Sequence, residues 1–364
     1  MMPAEAAGSV VRVASMLERA HKIAEEVLFP AAAEVDARGV IPRSHFDLLA
    51  EEGFYGLAGG SEHGGLGHSG DGIGIPSLVG ILEALVSGCL ATTFTWMQHH
   101  GVVRGLTRTA NAELRDQYLH AAIRGEVRCG VAYAGAIPQP PRLWATATDT
   151  GWLLNGEAPL VSGWDIVDML QISARNTAIR PGESAGSIIS GLVDATSGPG
   201  IAVEKLRMVA AQGSNTVRLH FTDYVLPIEK VISEVSHRDF LARQLVNARL
   251  NGCLAMGIAQ RCIRMIGEAG RAEIGELLHT EQAVIRQRLA GGLAEPATMP
   301  AARAAASEHA YRCAGALVVA VGSSGILARQ HAQRLVREAT FTLVAAGRPE
   351  IKDRLLEVLG HVHE

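Results

Sequence analysis

Apolar residues recur every three or four positions from about Ser15 to Arg124 and again from about His237 onward, while the stretch between is built of short β-forming runs. In the first region Met16, Leu17, Ala20, Ile23, Val27 and Leu28 share one helix face. Pro30 perturbs that helix near its end, and Pro42 opens another that carries Phe46, Leu48 and Leu49 inward. The glycine-rich segment Gly59–Gly74 predicts a loop. Ile75–Arg108 then predicts a long helix interrupted around Ser87 and Gly88.

From Gly125 to Ser233 the runs Arg128–Tyr133, Leu143–Thr148, Trp152–Leu154, Met169–Ser173, Ser187–Val193 and Thr216–Thr222 predict strands. Asp149-Thr150-Gly151 and Asn155-Gly156 supply turns between them, and Pro138–Pro141 a loop. Helical spacing returns with Leu245, Leu250, Leu254, Gly257, Ile258, Cys262 and Ile266. Further helices follow over Leu277–Leu289, Ala301–Val321, Ala328–Val344 and through Ile351, Leu355 and Val358, with a loop at Gly291–Pro300. The expected fold class is α+β: an N-terminal helical domain (1–124), a central antiparallel β domain (125–233) and a C-terminal four-helix bundle (234–364).

Composition narrows the function classes. A chain of 364 residues exceeds one small core, so two or three subdomains are expected. Aromatics are only 4%, leaving alanine and leucine to fill the interior, which favours helix. A formal net charge of −4 gives no basic footprint for nucleic acid. The five cysteines, Cys89, Cys129, Cys253, Cys262 and Cys313, show no C-x-x-C spacing and read as thiols of a reducing compartment, with no metal site. His361 and His363 in the tail are a weak metal pair. No run of apolar residues is long enough for a membrane span and the N-terminus carries early charges, so a cytoplasmic location is expected.

Five segments in order resemble the acyl-CoA dehydrogenase family. Ile41–Gly67 is similar to its N-terminal helix and Gly-Gly-x-Gly loop, here Gly64, Gly65 and Gly67. Gly151–Arg175 resembles the hairpin that flanks the flavin, and Leu219–Ile232 the exit from the β domain. Asn251–Gly267 resembles the first long C-terminal helix, and Val321–Leu356 the closing segment. The resemblance implies FAD as cofactor and an acyl-CoA or carrier-bound acyl thioester as substrate, desaturated between its α and β carbons. It further implies a homodimer or homotetramer with shared flavin sites.

Carried over residue by residue, Tyr133 and Ala134 would face one edge of the flavin. Leu160, Val161 and Ser162 would form a second contact, and Gly322 and Ser323 would approach the flavin of a neighbouring subunit. Plainer readings stand beside these: Ser162 as a strand-end serine bonding its own backbone, Gly322-Ser323 as a connecting turn.

Three positions depart from the family. Its Thr/Ser-Glu-Pro motif is here Val131-Ala132-Tyr133-Ala134-Gly135-Ala136, the glutamate base before Gly347 is Ala346, and the alternative base position on the first C-terminal helix falls near Asn247. Two residues could stand in as base: Glu350, one helical turn past Ala346, and His99 of the pair His99-His100. Against them stand a solvated helix-start carboxylate and a hydrogen-bonded core histidine. Trp96 and Met97 read as core or pocket wall, and Arg337 as the partner of a carboxylate. The readings left open are a dehydrogenase with a relocated base, a base-less partner subunit completing a heteromer with a paralogous chain, a flavin monooxygenase of the same fold, and a scaffold without flavin.

Overall fold

The computed structural model describes residues 4–67, 73–178, 186–345 and 347–360, with side chains from Ala14 onward. Ala346, His361 and His363 lie outside the described residues.

Helix α1 (Ala4–Ile23) runs into α2 (Phe29–Arg38) through a π turn at Ala24–Leu28. Pro30 has no N–H to give to the preceding turn, and the helix widens immediately before it. The π turn aims Glu25 at α8 of the C-terminal region, described below, where its carboxylate accepts from Arg261 Nη2 at 2.6 Å. Helix α3 (Arg43–Glu51) starts after Pro42 as its spacing predicts.

The segment expected as one helix with a break at Ser87-Gly88 is three helices: α4 (Ile75–Gly88), α5 (Leu90–Met97) and α6 (His99–Arg108). The first break falls at Cys89, whose backbone is extended, and a second at Gln98. Gly88 is there for close approach, since a Cβ on it would lie 2.9 Å from the carbonyl oxygen of Ala24 on the crossing helix. Helix α7 (Ala112–Ile123) is capped by Asn111, whose side-chain oxygen accepts from Leu114 N.

The middle region is one eight-stranded sheet. Its strands are β1 (Cys129–Ala132), β2 (Leu143–Thr148), β3 (Gly151–Val161), β4 (Met169–Asn176), β5 (Ser187–Asp194), β6 (Ile201–Lys205), β7 (Val217–Pro227) and β8 (Val231–Ser236). Six appear in the sequence pattern; β6 and β8 do not. Their order is β6-β7-β3-β2-β4-β5-β8, with β1 also on β4. Pairing is antiparallel apart from two parallel ladders, β1 with β4 and β2 with β4. β1 pairs with residues 169–172 and β2 with 175–176, so the chain leaves one edge of β4, turns through 133–142, and rejoins the same edge. Asn155-Gly156, expected as a turn, lies inside β3 at a register shift against β7.

The C-terminal helices are α8 (His237–Glu268), α9 (Ala272–Gly291), α10 (Met299–Val321), α11 (His331–Val344) and a fifth, short α12 (Pro349–Gly360) on α10. Ser236 Oγ caps α8 by accepting from Asp239 N. The sheet has its own core around Leu154, Val161, Leu170, Ile172, Val217 and Leu219. The two helical regions share another, in which Leu85 of α4 and Met256 of α8 are fully buried.

Candidate functional site

The site is built where β3 ends beside β7. A second register shift, between Ala158 and Val161, turns the strand so that Leu160 takes a left-handed backbone (φ 55°) and is 65% exposed. A left-handed non-glycine residue costs about 1–2 kcal/mol, and an exposed leucine recovers none of that by burial. Asp165 (φ 61°), Ala211 (φ 53°) and Asn215 (φ 44°) in the adjoining loops share the same conformation. Asn215 Nδ2 ties the two loops by donating to Trp164 O at 2.6 Å. Such clusters of local strain accompany functional sites.

Beneath Leu160 the chain turns inward. Val161 and Ser162 are buried. The Ser162 hydroxyl lies 2.6 Å from Thr216 Oγ1, which lies 2.8 Å from Ser214 Oγ. Three hydroxyls carry three protons and two bonds use two of them. One O–H therefore remains to be donated outside the chain.

Tyr133 and Ala134 follow β1, which runs alongside the Ser162 turn: a Cβ on Gly130 would lie 3.3 Å from Ser162 O. Ala134 is exposed; Tyr133 is half-buried, its ring edge-on to Phe240 of α8 at 6.4 Å. The segment replacing the Thr/Ser-Glu-Pro motif is a one-turn 3₁₀ helix, Ala134–Ala136. Arg175 pins it by donating to Ala136 O and Ile137 O. Gly135 is needed in it, since a Cβ would stand 2.3 Å from Glu157 O.

Leu160 and Val161 end β3 and Ser162 follows, β1 and the Ala134–Ala136 turn pack on that strand, and Tyr133 between them reaches Phe240 of α8. Leu160 and Ala134 are exposed apolar side chains, and the hydroxyl chain has one O–H left to donate. The residues fit a flavin, on a shelf that is open in the single chain.

The other candidates lie elsewhere. Gly322 and Ser323 are exposed at the end of α10, Gly322 with φ 72°, in a 3₁₀ turn packed on α10 and α11. Glu350 is exposed in the first turn of α12. A hydrogen bond from its own backbone N–H and the Arg348 guanidinium 3.1 Å away hold its carboxyl below the usual range. Asn247 Nδ2 donates to Gln244 Oε1 at 2.8 Å.

His99 departs from the expectation of a base. Its Nε2–H donates to Ala122 O at 3.1 Å and its Nδ1 accepts from Cys129 N at 3.1 Å, so no lone pair is left for a substrate proton. Burial lowers its pKa to about 3. It joins α6 to α7 and β1. Trp96 is core, 1% exposed, and Arg337 pairs with Asp36 at 2.8 Å.

The Thr216–Ser214 part of the site escaped the sequence reading. The only signal for it was the run Gly213-Ser214-Asn215-Thr216 ahead of β7, whose hydroxyls meet Ser162 only when β7 pairs with β3.

Among the described residues no helix is long and apolar enough to cross a membrane, and no group of three or more candidate side chains could hold a metal ion.

A family model for the N-terminal domain of acyl-CoA dehydrogenases matches residues 14–126. Over nearly the whole chain, benzylmalonyl-CoA dehydrogenase of Aromatoleum aromaticum is 25% identical, covering 91% of this chain and 93% of that one. Human mitochondrial short-chain specific acyl-CoA dehydrogenase is 22% identical, covering 95% and 89%. Among solved structures, butyryl-CoA dehydrogenase from Megasphaera elsdenii superposes with a TM-score of 0.80 at 18% identity, covering 96% and 97%. Glutaryl-coenzyme A dehydrogenase in its glutaryl-CoA complex superposes with a TM-score of 0.82 at 17% identity, covering 97% and 98%. Residues 14–126 thus match the N-terminal domain of the acyl-CoA dehydrogenases, and the chain shares from end to end the fold of that family's solved members.

Proposed function

We propose that this protein is an FAD-dependent, acyl-CoA dehydrogenase-like oxidoreductase that desaturates an acyl thioester of CoA or of a carrier protein. The observation that carries the reading is the Ser162–Thr216–Ser214 hydroxyl chain, with one proton to spare, under the outward-turned Leu160. When bound, FAD supplies the hydride acceptor for the β hydrogen. Leu160 and Ala134 give the ring an apolar seat, and Ser162 donates its proton to a ring acceptor. Gly322 and Ser323 reach the flavin of a neighbouring copy. The relatives named above are dehydrogenases of CoA thioesters by name, which supports the substrate class.

The proton acceptor is the open part of the chemistry. Position 346 is alanine and position 247 an amide, and Glu350, one helical turn past 346, is the carboxylate assigned to the α proton. A second reading has its own support: His99 has no free lone pair, and Glu350 is held as a weak base. In that reading the chain is a base-less subunit and a paralogous partner brings the glutamate.

An anaerobic titration of the flavin-loaded protein with acyl-CoA thioesters tests the proposal. Loss of the flavin absorbance supports the dehydrogenase. A flavin that no thioester reduces unless a paralogous chain is added supports the partner subunit, and one that no thioester reduces in either setting contradicts both.

A further inference from the structure

A small cavity of about 10 Å³ lies behind the shelf, lined among others by Tyr55, Thr95, Trp96, Arg128 and Val167. Such a volume is about one water probe and admits nothing larger. Two of the lining residues carry buried N–H groups with no acceptor among the protein atoms: Trp96 Nε1, and Nε and Nη1 of Arg128. A buried donor left unmatched costs about 1–3 kcal/mol, so an acceptor between these residues is stabilising, and a water's two lone pairs serve two of the three.

We propose that this cavity binds a single structural water, which accepts from Arg128 and Trp96 and donates to the hydroxyl oxygens of Thr95 and Tyr55. Thr95 Oγ1 gives its own proton to Ala91 O at 2.9 Å, so its lone pairs are free to accept. His99 also lines the cavity but has both ring nitrogens committed to backbone groups.

A small anion is the competing occupant, and the charges argue against it. The Arg128 guanidinium is already balanced by Asp47, to which its Nη2 donates, and the Asp168 carboxylate that accepts from its backbone N adds a second negative charge nearby. An added anion would bring an unpaired charge into a buried site.

The water joins α5 to Tyr55 in the turn after α3 and to Arg128 just ahead of β1, and it bears on the shelf. Thr95 and Val167 line the cavity and also pack against Gly163, where a Cβ would meet Val167 Cγ1 at 3.1 Å and Thr95 Cγ2 at 3.5 Å. The residue after Ser162 therefore rests on the wall that the water braces.

A crystal structure of the full chain that resolves ordered solvent, taken from a bromide-soaked crystal, tests this. The expected result is one solvent peak within hydrogen-bond distance of Arg128 and Trp96, with no bromide anomalous signal there. A bromide signal at that position, an empty cavity, or a side chain filling it overturns the proposal.

Discussion

The hydroxyl oxygens of Ser162 and Thr216 lie 2.6 Å apart, from a strand end and a loop 54 residues later in the chain. Ser162 would otherwise be free to turn its proton to its own backbone. Held by Thr216, its oxygen is fixed in place, and when Thr216 is the donor the Ser162 proton is left for another acceptor. Replacing Thr216 with valine removes the middle of the chain and leaves two buried hydroxyls unmatched. The expected outcome is a stability loss of about 1–3 kcal/mol and FAD binding weaker by about fivefold to tenfold, read by denaturant melts and fluorescence titration.

Leu160 predicts a trade of stability against binding. Its left-handed backbone is strained and its side chain gains nothing in the single chain. Leu160→Gly should stabilise the protein by about 1 kcal/mol by relieving that strain and should weaken FAD binding. A variant less stable than the parent, with FAD binding unchanged, would mean that Leu160 is not a flavin seat.

Glu350 predicts a split between binding and turnover. The side chain is exposed and bonded to Arg348, so Glu350→Gln should leave the fold and flavin content intact. If it takes the α proton, flavin reduction by acyl-CoA falls by about 10²-fold or more. Full activity in this variant removes Glu350 as base and favours the partner-subunit reading.

His99 predicts a pH dependence of stability. The folded group is neutral with a pKa of about 3, while the unfolded imidazole takes a proton near 6.5. Its contribution is therefore complete above pH 6.5 and declines as the pH falls from there toward 3. By pH 5 the loss is on the order of 2 kcal/mol. Melting temperature should fall between pH 7 and pH 5, and His99→Gln, which cannot titrate, should flatten the slope.

Helix placement was readable from the sequence because the buried faces repeat at 3.6 residues, as at Leu245–Ile266 in α8. What escaped lacked such a repeat. β6 offers only Ile201, Ala202 and Val203 as apolar residues, and β8 follows Pro227–Lys230 so closely that it reads as loop. Asn155-Gly156 has turn composition, yet its backbone is spent on a bulge in a long strand. The helix break falls at Cys89, one residue past the Gly88 that lets two helices cross. In the site, Leu160, Val161 and Ser162 could be named only through resemblance. Thr216 and the closed state of His99 depend on contacts between distant segments, which no local pattern encodes.

The most direct measurement of the central claim is the visible spectrum of the purified chain after incubation with FAD and removal of unbound cofactor. A flavin held at the Ser162 shelf should show as a retained band near about 450 nm, as for a protein-held flavin, in the parent and a diminished one in Thr216→Val. A parent protein that emerges colourless from that step, in every oligomeric form it adopts, would contradict it.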